Sequence, residues 1–379
     1  MLEKKFYITK PVLPSILKYA LLLNKAWKTR VLSNQGVLAR DLVLALQDFL
    51  SVQDLSLVSN GTVALEISLQ ALNLKPGAEV VTTPYSFVAT SNAIIRCGYK
   101  PVFVDIEEDG FNVSSKCIED AITERTGAIM VVHTYGVPAD FEAIKKVSGR
   151  YGLPVIYDAA HAFGVEVNNV SALSLGDIST CSFHATKVFN TAEGGCIVVN
   201  NKAFGDVTSL VNFGFCEEND ISSFGTNGKM SELSAALGLL NLQKHRLAIK
   251  NRKKIFERYI RLLNPHVVVS STYQAHLSDN IKWNYSYMPV TFSEVGGQSV
   301  RDELRDFLVS RGIMARKYFF PLIYETTAYR NRPESWRISE DCRNGRRAAR
   351  ETLCLPIYPC LQLKDVDMIC DVVNSFLKR

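Results

Sequence analysis

The sequence holds no apolar run approaching the roughly 18 residues that a membrane-spanning helix needs, so no span is expected. Nine cysteines are present but no CxxC pair. Cys342, Cys354, Cys360 and Cys370 lack zinc-finger spacing and have no histidine close by, so free thiols in a reducing compartment are expected. Only six histidines occur, and they are dispersed, which disfavours a histidine-rich metal site; no metal is expected. No GxGxxG follows a strand-like run and no GxxxxGK[ST] is found, which removes the usual phosphate loops of dinucleotide and P-loop proteins. HExxH and GxSxG are absent as well. The N-terminus imitates a signal peptide, with Lys4 and Lys5 ahead of PVLPSILKYALLL. Lys18 interrupts that run and NKAWKTR follows in place of a small-residue cleavage site, so the expected location is cytoplasmic.

Apolar residues make up 47% of the chain and charged residues 21%, enough for a substantial core and incompatible with a disordered chain. At 379 residues, one large domain and a smaller one are expected. Charge is uneven. Residues 1–240 carry 19 basic and 24 acidic groups, and residues 241–379 carry 24 and 14. A basic C-terminal part suits a small polyanion such as a nucleotide diphosphate, and equally a solvated face. The basic stretches RNGRRAAR and KHRLAIKNRKK lack interleaved aromatics, so no nucleic-acid partner is expected.

Seven apolar runs read as buried strands: LSLV, EVVTT, KPVFVDI, GAIMVVHTYG, LPVIYDAA, DISTCSF and GGCIVVN. Segments with helical spacing alternate with them, among them VALEISLQALNL, SNAIIRCG, SKCIEDAIT and DFEAIKKVSGRYG. This alternation predicts an α/β fold around a mostly parallel seven-stranded sheet. A long helix is expected from Met230 to Leu263, with Lys244, Arg246, Lys250, Arg252, Lys253 and Lys254 on its polar face. Beyond it, HVVVS, NYSYMPVTF and ARKYFF read as strands and SVRDELRDFLVSRG as a helix. The expected division is an N-terminal segment with the large domain, 1–245, and a small α+β domain, 246–379.

Three segments carry candidate chemistry. In SNGT, Gly61 and Thr62 open a helix after a strand, where unpaired N–H groups, a hydroxyl and the helix dipole suit a phosphate; a plain N-cap fits the same residues. In YDAAHAFG, Asp158 ends an apolar strand at the sheet edge where α/β proteins gather ligands, with His161 three residues on; a capping Asp and a structural His are the alternative. In SFHATKVFNTAEGG, Lys187 is the single lysine or arginine within residues 151–200. A lysine stripped of solvent becomes a nucleophilic amine able to form a Schiff base, although snorkelling surface lysines are commoner. Together, a phosphate seat, a buried acid and an isolated amine are the parts that hold pyridoxal 5′-phosphate. Phe87 in PYSFVAT offers a ring face to such a cofactor, or packs in the core.

The sequence resembles the DegT-type nucleotide-sugar aminotransferases, within the fold-type I pyridoxal phosphate enzymes. SNGTVAL, TTPYSFVATSNAI, KPVFVDIEEDGFNV, VVHTYGVPADFEAI, VIYDAAHAFG, SFHATKVFNTAEGG and NGKMSELSAALG carry the resemblance, in order, from KPVLPSI to LPIYPCL. It implies that Lys187 binds the cofactor aldehyde and that Asp158 pairs with the pyridine nitrogen. It implies further that His161 lies beside the ring hydroxyl, that Gly61, Thr62 and Ser182 contact the phosphate, and that Phe87 stacks on the ring. Asn227 matches an asparagine reaching the neighbouring subunit's cofactor, which implies a homodimer with shared sites. The stretch usually reading N-Y-R-M is NGKM here, so Gly228 and Lys229 replace Tyr and Arg. That puts a diphosphate contact at Lys229 in doubt, since a lysine lacks the planar fork. Arg316, Lys317 and Tyr318 in ARKYFFPL are candidates for the sugar side.

FHATKVFNTAEGG is similar to enzymes that aminate C4 of a dTDP-4-keto-6-deoxyhexose, the C3-aminating relatives usually reading FYPGKN there. The resemblance implies L-glutamate as donor, a nucleotide-diphosphate keto sugar as acceptor, and a product bound for O-antigen or another surface glycan. The alternatives are a C3 aminotransferase, a sugar dehydratase on the same fold, whose lysine position is typically His, and a ligand-sensing regulator.

Overall fold

The computed structural model describes residues 5–217, 220–263, 271–292 and 300–378. All seven apolar runs form strands: β1 (Leu55–Val58), β2 (Glu79–Thr82), β3 (Lys100–Phe103), β4 (Thr126–Val132), β5 (Val155–Asp158), β6 (Ile178–Ser182) and β7 (Gly195–Val199). Later come β8 (Met288–Thr291), β9 (Arg337–Ile338) and β10 (Thr352–Leu355). The large sheet has the order β1-β7-β6-β5-β4-β2-β3-β9. Its ladders are parallel from β6 across to β9, and β7 runs against both β1 and β6. The C-terminal ends of β1, β2, β5 and β6 therefore share one rim, the place where α/β sheets collect ligands.

Helices α1 (Ile16–Thr29) and α2 (Val37–Leu50) precede the first strand of this sheet. Crossovers between its strands supply further helices, among them α3 (Gly61–Ala71), α4 (Ala89–Arg96) and α5 (Phe141–Tyr151). The long helix α6 runs Glu232–Leu262, two residues inside the expected start, because Ser231 caps it by accepting from Ser234 N. Its early face buries Ala235, Ala236 and Leu240, and its late face buries Ile255, Phe256 and Tyr259. The expected division at 245/246 falls inside this helix.

The C-terminal part pairs β8 with β10 and adds α7 (Val300–Val309), α8 (Arg343–Glu351) and α9 (Leu363–Leu377). The expected strand HVVVS, residues 266–270, lies outside the described residues. ARKYFF does not form a strand: Arg316 alone bridges to Cys354. The reason is that the Tyr318 carbonyl is taken by the Tyr85 and Tyr135 hydroxyls, at 3.3 and 3.0 Å, instead of a ladder. The sheet gains an eighth strand, β9, because buried Glu79 binds Arg337 through two hydrogen bonds of 3.1 and 2.8 Å. Arg252 is not on the solvated face of α6 either. It is buried and donates from Nη1 to the carbonyls of Tyr285, Ser286 and Ile357, at 3.3, 3.3 and 3.1 Å.

One buried carboxylate fixes how α6 meets α2. Glu232 accepts from Leu38 N at 2.7 Å and Ala39 N at 2.9 Å, neutralising free donors at the positive end of α2. A Cβ on Gly36 would lie 2.6 Å from the Glu232 Cδ, so glycine is required there. Replacing Glu232 by Ala strands two buried N–H groups and is expected to lower stability by about 2–3 kcal/mol, read as a reduced denaturation midpoint.

Candidate active site

The rim gathers the expected residues. At the end of β1 the chain turns at Asn60, whose side chain accepts from Val63 N at 2.9 Å and caps α3. The Gly61 and Thr62 amides have no acceptor within the described residues, and the Thr62 hydroxyl has no partner there. Gly61 also lies against β6: a Cβ on it would stand 2.7 Å from the Ser182 Cβ and 3.1 Å from its Oγ. Two free N–H groups at a helix start, with hydroxyls from Thr62 and Ser182, form a compact anion seat.

Asp158, the last residue of β5, is buried. Its Oδ2 accepts from the Thr90 hydroxyl at 2.8 Å and its Oδ1 from Ala160 N at 3.2 Å. Thr90 in turn shares a 2.9 Å hydrogen bond with the Ser86 hydroxyl. Burial raises the carboxyl above the usual range, against the pull of these two donors and of the Lys187 charge. Lys187 lies in the turn after β6 and is half-buried. Loss of solvent around its amine lowers its pKa to about 8; Asp158 opposes that shift and the Arg316 charge adds to it. No ion pair closes between Lys187 and Asp158, although each senses the other's charge.

His161 is buried, and burial holds its pKa well below the usual value, so the ring is neutral at physiological pH. Its Nδ1 accepts from Tyr135 N at 3.2 Å, and its ring lies 11° from parallel with Phe319 at 6.0 Å. Phe87 is 55% exposed and packs in no core, so its face is open to a ligand. Arg316 faces the same space, by the charge Lys187 feels, and its guanidinium lies 4.5 Å over the Tyr318 ring. Three expected residues are not brought into this group. Lys317 holds Asp302, its amine 3.3 Å from the carboxylate. Lys229 is held at Asn212 Oδ1, 2.8 Å away, and over the Phe213 ring at 4.5 Å. Asn227 is exposed and bridges to Asn212.

Thr90 and Tyr135 are absent from the sequence-based list of candidates. Thr90 belongs to TTPYSFVATSNAI, yet a threonine on a helix gives no sign that it faces a carboxylate three strands away in sequence. Tyr135 has φ +56, a conformation that marks a backbone held by its surroundings, and this is invisible in the sequence.

These residues fit pyridoxal 5′-phosphate. The anion seat suits its phosphate, the raised-pKa acid suits its ring nitrogen, and the solvent-poor amine suits its aldehyde. Among the described residues no cluster of metal-ligating side chains occurs.

Comparison with known proteins agrees with this chemistry. The model of the DegT/DnrJ/EryC1/StrS aminotransferase family matches residues 19–374. A dTDP-4-amino-4,6-dideoxy-D-glucose transaminase of Shigella dysenteriae is 41% identical over 375 residues, covering 99% of this chain and 100% of the relative. A transaminase of the same name from Escherichia coli is 40% identical over 365 residues, covering 94% and 95%. The solved structure of DesI in the presence of its TDP-sugar product has a TM-score of 0.90 at 29% identity, covering 100% of this chain and 94% of that one.

The lowered pKa of Lys187 predicts its reactivity. In the cofactor-free protein, reductive labelling of Lys187 by a small aldehyde should rise to half its maximum near pH 8, below the roughly 10.4 of a free lysine side chain. Peptide mass mapping across pH reads the Lys187 profile.

Proposed function

The chain belongs to the DegT/DnrJ/EryC1/StrS aminotransferase family, and we propose that it transfers the amino group of L-glutamate to C4 of a nucleotide-linked 4-keto-6-deoxyhexose. The preferred acceptor is dTDP-4-keto-6-deoxyglucose and the product dTDP-4-amino-4,6-dideoxyglucose, a precursor for O-antigen or another surface glycan. The observation that carries the reading is that Lys187 and Asp158, both deprived of solvent, sense each other's charge on the rim that also holds the anion seat of Gly61 and Ser182. The acceptor is argued from the names of the two relatives sharing 41% and 40% identity.

Pyridoxal 5′-phosphate, when bound, supplies a carbonyl that exchanges amines and a ring that withdraws electrons from the carbon losing its proton. The protein does the rest. Gly61, Thr62 and Ser182 hold the phosphate, Phe87 covers one ring face, and Asp158 pairs with the ring nitrogen. His161 sits beside the ring hydroxyl. The Lys187 amine, mostly deprotonated above its pKa of about 8, takes the proton from the donor's α-carbon and returns it one position away. The reaction balances: glutamate becomes 2-oxoglutarate while the sugar ketone becomes an amine, and the same lysine serves both halves. Arg316 and Tyr318 line the sugar side in this reading.

A homodimer completes the proposal. Asn227 stands beside Phe213, Phe215, Ile221 and Phe224, which are 45%, 39%, 56% and 99% exposed. So much uncovered aromatic and aliphatic surface beside an exposed polar residue suits a subunit contact that carries Asn227 to a second copy's cofactor.

Three outcomes follow. Incubation with L-glutamate and dTDP-4-keto-6-deoxyglucose should yield the amino sugar by mass spectrometry, and Lys187→Ala should abolish it; turnover retained by that variant would remove the assignment. Thr90→Val withdraws a donor from the Asp158 carboxylate, raises its pKa further and should lower kcat/KM by roughly tenfold to a hundredfold. Mixing and re-forming dimers from inactive Lys187→Ala and Asn227→Ala chains should restore part of the activity, since one site of each mixed dimer is intact; no recovery, with mixed dimers present, speaks against shared sites.

A further inference from the structure

We propose that Asn284 and Ser286 are positioning residues that lock His161 of the candidate site as an Nε2–H donor, acting through the Tyr135 backbone. A neutral imidazole carries one proton, and Nδ1 of His161 is committed as an acceptor to Tyr135 N at 3.2 Å, which leaves the proton on Nε2. The tautomer thus depends on where the Tyr135 amide points. The next peptide, which carries the Tyr135 carbonyl and fixes the same residue's backbone, is held from the far side. The Ser286 hydroxyl donates to the Tyr135 carbonyl at 2.7 Å, and the Trp283 indole N–H reaches the same oxygen at 3.4 Å.

Asn284 fixes the other half of the arrangement. Its Nδ2 donates to the carbonyls of His161 and Phe163 at 2.7 and 3.1 Å, and its Oδ1 accepts from Ser286 N at 3.1 Å. It is 1% exposed, so each of these bonds is made away from water, where a lost partner is costly. Tyr287 follows directly, its ring centroid 4.7 Å from that of His161. Buried Arg252 anchors the stretch through the Tyr285 and Ser286 carbonyls. The fit leaves no space for a side chain at residue 136. Gly136 has φ +76, and a Cβ there would lie 2.6 Å from the His161 carbonyl, 2.7 Å from Asn284 Oδ1 and 2.8 Å from Ser286 Oγ. A segment following α6 in the chain thereby sets the proton position of a residue following β5. The effect on the cofactor rests on the proposed function; the clamp itself does not.

Histidine ¹⁵N spectra of the cofactor-free protein test the clamp directly. Wild type should show His161 as one tautomer, with Nδ1 bare and Nε2 protonated. Ser286→Ala and Asn284→Ala should show a mixture, while Ser286→Thr, which keeps the hydroxyl, should restore the single form. The second measurement is the pyridoxal 5′-phosphate dissociation constant. Ser286→Ala should raise it roughly tenfold in the wild-type background and less than about twofold in His161→Ala, because the effect passes through that ring. An unchanged ¹⁵N pattern in a folded Ser286→Ala protein would overturn the proposal, as would equal losses with and without His161. Should wild type fail to take up the cofactor at all, the functional reading falls, and the ¹⁵N spectra still decide the clamp.

Discussion

The site depends on an amine and a carboxylate, both deprived of water, that sense each other without pairing. Were Lys187 and Asp158 in contact, each would stabilise the other's charge, and the amine would stay a cation well above neutral pH. Held apart, each is pushed by burial toward its neutral form, Lys187 down to about 8 and Asp158 upward. In the proposed function the ligand relieves this cost: a ring nitrogen gives the acid a partner and an aldehyde consumes the amine. A fold with no ligand to place there would gain by closing the ion pair.

The parallel sheet makes this separation possible. The parallel ladder carries β2, β5 and β6 to one rim, and two antiparallel pairings through β7 turn β1 the same way, so an anion seat, a supporting threonine, an acid and a lysine from four distant stretches meet there. Rigidity comes from behind the rim. Glu232 fastens α6 to α2, Arg252 fastens the later chain to α6, and the 284–287 stretch holds the His161 and Tyr135 backbones. The C-terminal part is therefore a support for the site.

Much of this was legible in the amino-acid sequence for simple reasons. Strands covered on both faces read as unbroken apolar runs, and all seven were found where those runs lie. Lys187 stood out because fifty residues around it hold no other lysine or arginine, and Asp158 because it ends one of the runs. Long-range contacts were not legible. Arg252 has the same helical spacing as its solvated lysine neighbours and differs only in three carbonyls supplied by other segments. β9 is two residues long, recruited by Glu79. ARKYFF has strand composition, yet Tyr318 gives its carbonyl to two tyrosine hydroxyls. Thr90 and Asn284 belong to residue types that occur on every surface, and their partners lie 68 and 123 residues away.

The central claim is that this amine and this acid work together on one cofactor, in the donor half of a transamination. The most direct test is a near-visible absorbance scan of the protein loaded with pyridoxal 5′-phosphate, repeated after adding L-glutamate. A yellow band that bleaches on addition, with 2-oxoglutarate released in equal amount, is the result this account predicts. A protein that stays colourless after loading, or a yellow one that glutamate leaves unchanged, would contradict it.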